Sequence, residues 1–402
     1  MRKPGFSLTR RRLLGAGSAV TLIAAAGIVW RGKERGVFSD APREAYSPWD
    51  LWNAPDIKGT SLALAAAGIL AASPHNTQPW IFRISDDRIE LYADTSRNLG
   101  AFDPYLREMH IGLGCVVETM MHTAGPNGYR VALNIPAGSL LSLTERGPRV
   151  LVATLSLSRL SKPAEDDALY QAIPRRYTNR GPYERARGLP ASAKMILMDV
   201  AEDENLQTFL FDEGDARARF DSAVIAATEE IIADHDMEAA SGAWMRQSPD
   251  AILEHRDGLN LDTAGLAPWL TVAAKLLPSV SAEEAHKTWL SQTRDSQLPT
   301  APLTGLIAVR DRYDRAQTLA AGRAWARMQL AATSLGFAMQ PINQPVEMID
   351  RERQLGKKPL SEARLADLTG DESWQPTFAF RAGYAAREAP ESPRRSLKSV
   401  TL

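Results

Sequence analysis

Ala71-Ala72-Ser73-Pro74-His75-Asn76-Thr77-Gln78-Pro79-Trp80 joins the end of an apolar helix to the start of a strand. Pro74 and Pro79 fix φ and offer no backbone N–H. Each pushes its predecessor, Ser73 or Gln78, towards extended conformations. Ser73 just before the first proline, with His75, Asn76, Thr77 and Gln78 between the two, puts five polar side chains into a stiff loop. A helix-to-strand connection needs no more than a cap, so the stretch reads either as a capped turn or as a binding loop on a rigid frame. Two other stretches favour the binding loop: Arg175-Arg176-Tyr177-Thr178-Asn179-Arg180 and Pro393-Arg394-Arg395.

Outward from that loop, Thr60 or Ser61 caps the upstream helix. Its buried face runs through Leu62, Ala66, Ile69 and Leu70, and the helix is expected to end at Pro74. Downstream, Trp80–Ile84 and Arg88–Tyr92 flank Ser85-Asp86-Asp87 as a β-hairpin. Met109–Ala124 reads as a second apolar helix, stopped by Gly125-Pro126. Tyr129–Ile135 and Val150–Leu157 read as strands, and Glu165–Ile173 as a short helix. Residues 36–59, with Tyr46, Trp49 and Trp52, read as an extended arm packing aromatics on the body.

Beyond the arginines, Lys194–Val200 reads as a weak strand and Ala216–Asp234 as an amphipathic helix. Asp236–Pro302 is irregular and reads as an insertion or lid. Thr318–Leu335 is apolar nearly all round, the mark of a buried helix, with Gly336 as its C-cap. Thr377–Tyr384 is the last strand. Each half thus holds a helix, a strand region and a long apolar helix.

The chain has 402 residues, 44% hydrophobic and 24% charged, with a formal net charge of −1. That balance suits a globular protein and argues against a general nucleic-acid binder, which carries a basic excess. The one cysteine, Cys115, excludes an intrachain disulfide and reads as a small core residue.

The amino terminus reads as a targeting segment. Arg2, Lys3, Arg10, Arg11 and Arg12 form a basic head, and residues 13–30 carry no charge over 18 positions. Thr9-Arg10-Arg11-Arg12-Leu13-Leu14 resembles the twin-arginine export signal of bacteria; an ordinary secretory signal is the other reading. Eighteen residues can also just span a bilayer and remain as an anchor.

No HExxH, paired CxxC, G-x-S-x-G or glycine-rich phosphate loop occurs. The arginine stretch offers different chemistry. Guanidinium groups bind phosphate through paired hydrogen bonds, and a hydroxyl and an amide stand among them. Taken alone, it reads as an exposed basic loop.

Together these stretches resemble the FMN-dependent nitroreductase family. Its R-x-S-x-R element is matched by Arg176, Thr178 and Arg180. Its P-S-x-x-N-x-Q-P-W element is matched by Pro74, Asn76, Gln78, Pro79 and Trp80. Its terminal strand and basic pair are matched by Gly383-Tyr384 and Arg394-Arg395, and its flavin-flanking helix resembles residues 320–336. The motif order is reversed, with Asn76–Trp80 about a hundred residues before Arg176. The chain therefore looks like two family subunits fused, with the first half lacking its leading arginines.

The resemblance implies an α+β fold of mainly antiparallel sheets flanked by helices. With the signal or anchor taken as 1–35, it implies one half over 36–160 and a second over 161–402 with a lid at 236–302. It implies a monomer that mimics the family dimer and holds one FMN. Arg176, Thr178, Arg180, Arg394 and Arg395 would hold the phosphate and ribityl chain. Asn76 and Gln78 would bond the ring edge. Pro74 and Trp80 would shape the pocket, and His75 belongs to the same cofactor loop. No side-chain nucleophile and no metal are called for. A small-molecule donor would reduce the flavin, and a nitro compound or quinone would take the electrons, outside the cytoplasm. The rival expectation is a protein that sequesters FMN or senses redox state with little turnover.

Overall fold

A computed structural model describes residues 30–36, 43–140, 147–199, 204–276 and 282–402. The expected targeting segment, residues 1–30, lies outside them except for Trp30. Among the described residues, no helix is long and apolar enough to cross a membrane.

The architecture is α+β, with two four-stranded antiparallel sheets, as the motifs led us to expect. The first comprises β1 (Trp80–Ile84), β2 (Arg88–Asp94), β3 (Tyr129–Asn134) and β4 (Arg149–Arg159). The second comprises β5 (Leu206–Phe211), β6 (Leu303–Val309), β7 (Ala338–Pro341) and β8 (Gln375–Gly383). Their orders are β1-β2-β4-β3 and β5-β6-β8-β7, one path drawn twice. Sequence identity between the halves carries none of this symmetry; connectivity carries all of it.

In each sheet a long helix separates the second and third strands. These are α2 (Arg107–Ala124) in the first half and α10 (Arg315–Ser334) in the second. They cross at Gly114 and Gly322. A Cβ on Gly114 would overlap the carbonyl oxygen of Leu319, and one on Gly322 that of Ile111. Only glycine permits this approach. Cys115 sits at the crossing, its thiol 3.3 Å from the Gly322 carbonyl oxygen, and burial pushes its pKa up to about 12. It is a core residue, as its setting in an apolar helix suggested.

Lower on α2, ionic contacts tie the halves together. Arg107, fully buried, donates from Nε to Asp350 at 2.7 Å. Glu108 accepts from the Asn343 amide. Asp103 caps the helix, accepting from the backbone N–H groups of Glu108 and Met109 at 3.0 and 2.9 Å. Burial raises Glu108 to about 7 and Asp103 to about 6, and places Glu347 well above its ordinary value.

The remaining helices surround this frame. α1 (Ser61–Gly68) precedes β1, α3 (Ala168–Ala172) leads to the arginine stretch, and α4 (Ala191–Asp199) precedes β5. α5 (Gly214–Ile232), α6 (His235–Gly242), α7 (Pro249–His255), α8 (Pro268–Leu276) and α9 (Ala282–Ser291) lie between β5 and β6. α11 (Gln344–Gln354) and α12 (Leu360–Thr369) lie between β7 and β8.

Several expectations need correction. Lys194–Val200, expected as a strand, belongs to the helix α4 up to Asp199. Its run Met195-Ile196-Leu197-Met198 suits either period. The helix wins because only Ala193 and Leu197, four apart, are buried, while Met195 and Met198 stay exposed. α1 stops at Gly68, before Pro74. The arm folds into two single turns, Arg43–Ala45 and Pro48–Leu51, instead of running extended. Its aromatics pack as expected: Tyr46 and Trp49 are buried, and Trp52 meets Tyr170 edge to face.

The carboxy-terminal tail leaves the second sheet and returns to the first. Thr401 bridges Phe82 in β1, and the Leu402 N–H donates to the Phe82 carbonyl at 2.8 Å. This return path brings Arg394 and Arg395 beside the loop at 71–80.

Candidate functional site

The loop after α1 is strained. His75, Asn76 and Gln78 have φ of 46°, 56° and 51°, a left-handed conformation that costs a non-glycine residue on the order of 1–2 kcal/mol. Strain of this kind persists only where the surroundings over-determine it, and here they do. The Ser73 hydroxyl accepts from the Gln78 N–H at 3.0 Å. Arg97 Nε donates to the Thr77 carbonyl at 2.6 Å.

The loop's amides are committed to two neighbouring segments. Asn76 Nδ2 donates to the Pro393 and Gly258 carbonyls at 3.0 and 3.3 Å. Asn76 Oδ1 accepts from Arg394 Nη1 at 2.7 Å. Gln78, fully buried, donates to the Arg256 carbonyl at 2.8 Å and accepts from the Arg395 N–H at 2.8 Å. The loop thus clamps the tail on one side and the 256–259 segment on the other.

That second segment is pinned by charge. Asp257, buried, pairs with Arg97 and with Arg246 at 2.6 Å. Gly258 then donates its N–H to the Asn76 carbonyl at 3.2 Å.

Around the enclosed space stand three arginines. Arg176 and Arg394 are 5% and 2% exposed, and Arg180 donates to the Thr263 carbonyl at 3.2 Å. Arg176 donates to Leu70 O at 3.0 Å and to Gln329 Oε1 at 3.2 Å. Arg394 donates to Asn76, to the Ser392 hydroxyl at 2.6 Å and to the Pro393 carbonyl at 3.0 Å. Among the described residues, none of the three meets a carboxylate, and Arg394 Nε has no partner at all.

Burial therefore weakens their hold on the proton. Arg394 falls to about 9, through desolvation and then the neighbouring Arg176 charge. Arg180 falls to about 10 through desolvation, and Arg176 falls for the same reason. A buried cation without a carboxylate beside it is costly, and a cluster of them suits an anion.

The space they enclose is about 40 Å³, lined also by Ser73, Thr178 and Thr263. It adjoins a cleft of about 760 Å³, which shares Thr178, Arg180, Thr263 and Pro390 with it. The cleft falls within the roughly 300–1,000 Å³ typical of small-molecule sites. An anionic end in the small space and an organic body in the cleft fit this arrangement, so the residues suit a flavin phosphate.

Of the residues singled out in the sequence, Asn76, Arg176, Thr178, Arg180 and Arg394 line one cavity. Gln78 and Arg395 stand behind it: Arg395 Nη1 donates to the Gln78 carbonyl at 3.0 Å. Pro74 opens the turn before Asn76 and lies against Gly112 of α2. His75 faces elsewhere, with Nε2 2.9 Å from the Ser241 hydroxyl and its ring edge-to-face on Phe102. Burial and then Arg180 lower its pKa to about 4, so it is neutral at pH 7.

Sequence reasoning missed Ser392, Thr263 and Gly258. Ser392 stood beside Pro393 and could have been found there. Thr263 and Gly258 lie in the irregular insertion and gave no local signal.

No family model matches the chain. It is 26% identical over 351 residues to a Mycobacterium tuberculosis protein provisionally named as an NAD(P)H nitroreductase, spanning 86% of this chain and 92% of that one. Among solved structures, it resembles an FMN-dependent nitroreductase from Mycobacterium smegmatis in complex with NADPH. That match has 16% identity and a TM-score of 0.37, over 58% of this chain and 97% of the other. An iodotyrosine deiodinase bound to FMN and 3-iodo-L-tyrosine is 12% identical with a TM-score of 0.32, over 57% and 95%.

Proposed function

We propose that this chain is an FMN-dependent oxidoreductase of the nitroreductase type, passing electrons from a nicotinamide donor to a nitro compound or quinone. One observation carries the reading: Arg176 and Arg394 are buried, and Arg180 half-buried, around one space without a carboxylate, beside a cleft of flavin-compatible size. The similarity to the provisionally named mycobacterial nitroreductase agrees with it.

When bound, the flavin supplies the hydride and electron chemistry. The protein's part is to hold, orient and shield. Arg176, Arg180 and Arg394 neutralise the phosphate, and Thr178 adds a hydroxyl donor. Asn76 fixes the Arg394 guanidinium through its 2.7 Å contact. Gln78 and Arg395 hold the tail against the loop. The 256–259 segment excludes water from that end of the space.

The repeated strand order supports a fused pair of subunit-like halves, 36–160 and 161–402, working as a monomer with one complete site. Residues 236–302 serve as a lid over it. The first 35 residues serve for twin-arginine export, with 13–30 able to remain as a membrane anchor. Replacing Arg10, Arg11 and Arg12 by Lys and fractionating the cells tests that part.

A second reading has its own observation. The Asn76 and Gln78 amides clamp the 256–259 segment and the tail against the space, and this closure favours retention of flavin over turnover. An absorbance spectrum with FMN stoichiometry tests the common premise. NADPH oxidation with nitrofurazone or menadione separates the two readings. Protein that neither carries nor binds FMN overturns both.

A further inference from the structure

The amino-terminal arm touches the anion site from behind through Trp49. This residue is 4% exposed and does not line the cavity. Its indole ring lies 4.8 Å from the Arg394 guanidinium. Its Nε1 donates to the Ser392 carbonyl at 2.8 Å. The same ring meets Tyr177 edge to face, with centroids 5.0 Å apart. The arm's Ala45 carbonyl also accepts the Arg394 N–H at 2.8 Å. Trp49 therefore bridges the two arginine-bearing segments, 176–180 and 392–395, which are far apart in sequence.

These contacts answer a physical problem. Arg176 and Arg394 are like charges, buried together, with no carboxylate to offset them. Each would turn away or draw in water if free to do so. A tryptophan face attracts a desolvated guanidinium through its quadrupole, and it does so without neutralising the charge. A carboxylate in its place would hold Arg394 as firmly and would compete with any incoming phosphate. An aromatic face orients the cation and leaves its charge available.

We propose that Trp49 is a positioning residue for the phosphate-binding arginines, so that the arm sets affinity for the anionic end of the ligand. The inference rests on the flavin reading above for the identity of the ligand, but not for the existence of the anion site.

The test compares FMN with riboflavin, which lacks the phosphate, on the full chain stripped of flavin. Trp49→Leu keeps an apolar side chain, although a smaller one, and removes the aromatic face; Trp49→Phe keeps a face and loses the indole N–H. Flavin fluorescence titration should show FMN affinity about tenfold weaker in W49L, the effect of a desolvated cation–π contact. Riboflavin affinity should change less than twofold, with W49F between wild type and W49L. Thermal stabilisation by inorganic phosphate gives a second readout, independent of flavin, and W49L should lose most of it. Equal weakening of FMN and riboflavin, or unchanged phosphate stabilisation in both variants, overturns the proposal. If wild type is stabilised by phosphate and binds neither flavin, the function reading fails, and the phosphate comparison still decides the role of Trp49.

Discussion

Arg176 and Arg394 donate to the same carbonyl oxygen, that of Leu70, at 3.0 and 3.3 Å. Two guanidinium groups from opposite ends of the second half thus converge on one backbone atom of the first. No carboxylate shares the space, and the Arg176 charge helps to lower the Arg394 pKa to about 9. An incoming phosphate would relieve that repulsion.

Arg394→Gln should therefore weaken FMN binding about 10- to 100-fold, the size of one or two lost charge-assisted hydrogen bonds. Riboflavin binding should hardly change. Fluorescence titration reads both. Equal loss for the two ligands would place Arg394 in general packing instead of phosphate recognition.

The same cation sets a pH limit. Arg394 must be protonated to bind phosphate, so affinity should hold through neutrality and fall as pH rises past about 9. On the acid side, affinity should drop as the phosphate dianion becomes a monoanion near pH ~6. An affinity flat from pH 8 to 10.5 would contradict the lowered Arg394 value.

Asp257 holds the 256–259 segment against the site by pairing with Arg97 and Arg246. Breaking a buried pair by removing one charge costs on the order of 3–5 kcal/mol. Asp257→Asn should leave the two sheets intact and loosen this segment. Flavin release should quicken by tenfold or more in stopped-flow fluorescence, with protease cutting first near Arg256. Unchanged release would show that the segment does not gate the space.

Gly322→Ala would press a methyl group into the Ile111 carbonyl, where α2 and α10 cross. Overpacking of this kind costs about 1–3 kcal/mol or more, and backbone cannot swing aside as a side chain can. A clear fall in melting temperature is expected. Gly242→Ala, in α6 with open space around it, should be neutral or slightly stabilising and serves as the control.

Glu108 and Asp103 have folded pKa values raised by burial, to about 7 and about 6. Their contribution is fully present below pH ~4 and is lost as pH rises through those values. Thermal stability should therefore decline between about pH 4 and 7, and Glu108→Gln should flatten the slope. A melting temperature that climbs over that range in wild type would refute the assignment.

How much of this was legible in the sequence follows from where the determinants lie. The first sheet was readable because its strands alternate, and β2 shows that pattern in its burial. The second sheet was largely hidden. β6 is buried at every position and gives no alternation, while β7 spans four residues. Each stretch alone was an ordinary loop; the anion site was legible through motif resemblance, which joined Asn76 and Gln78 to Arg176, Thr178 and Arg180 and to the Arg394-Arg395 pair. Its wall at Gly258 and Thr263 was not, since those residues meet it only through tertiary packing. The commitment of Gln78 to Arg256 and Arg395 could not be foreseen either. An amide reads the same whether it faces a ligand or its own chain.

Asn76 and Arg394 are 318 positions apart yet share one hydrogen bond. During synthesis Asn76 leaves the ribosome long before its partner exists, and no early fragment can hold ligand. Competence arrives as a single late event. A product terminated before Arg394 keeps none of it, so yellow colour in a preparation would count full-length polypeptide as much as it counts cofactor.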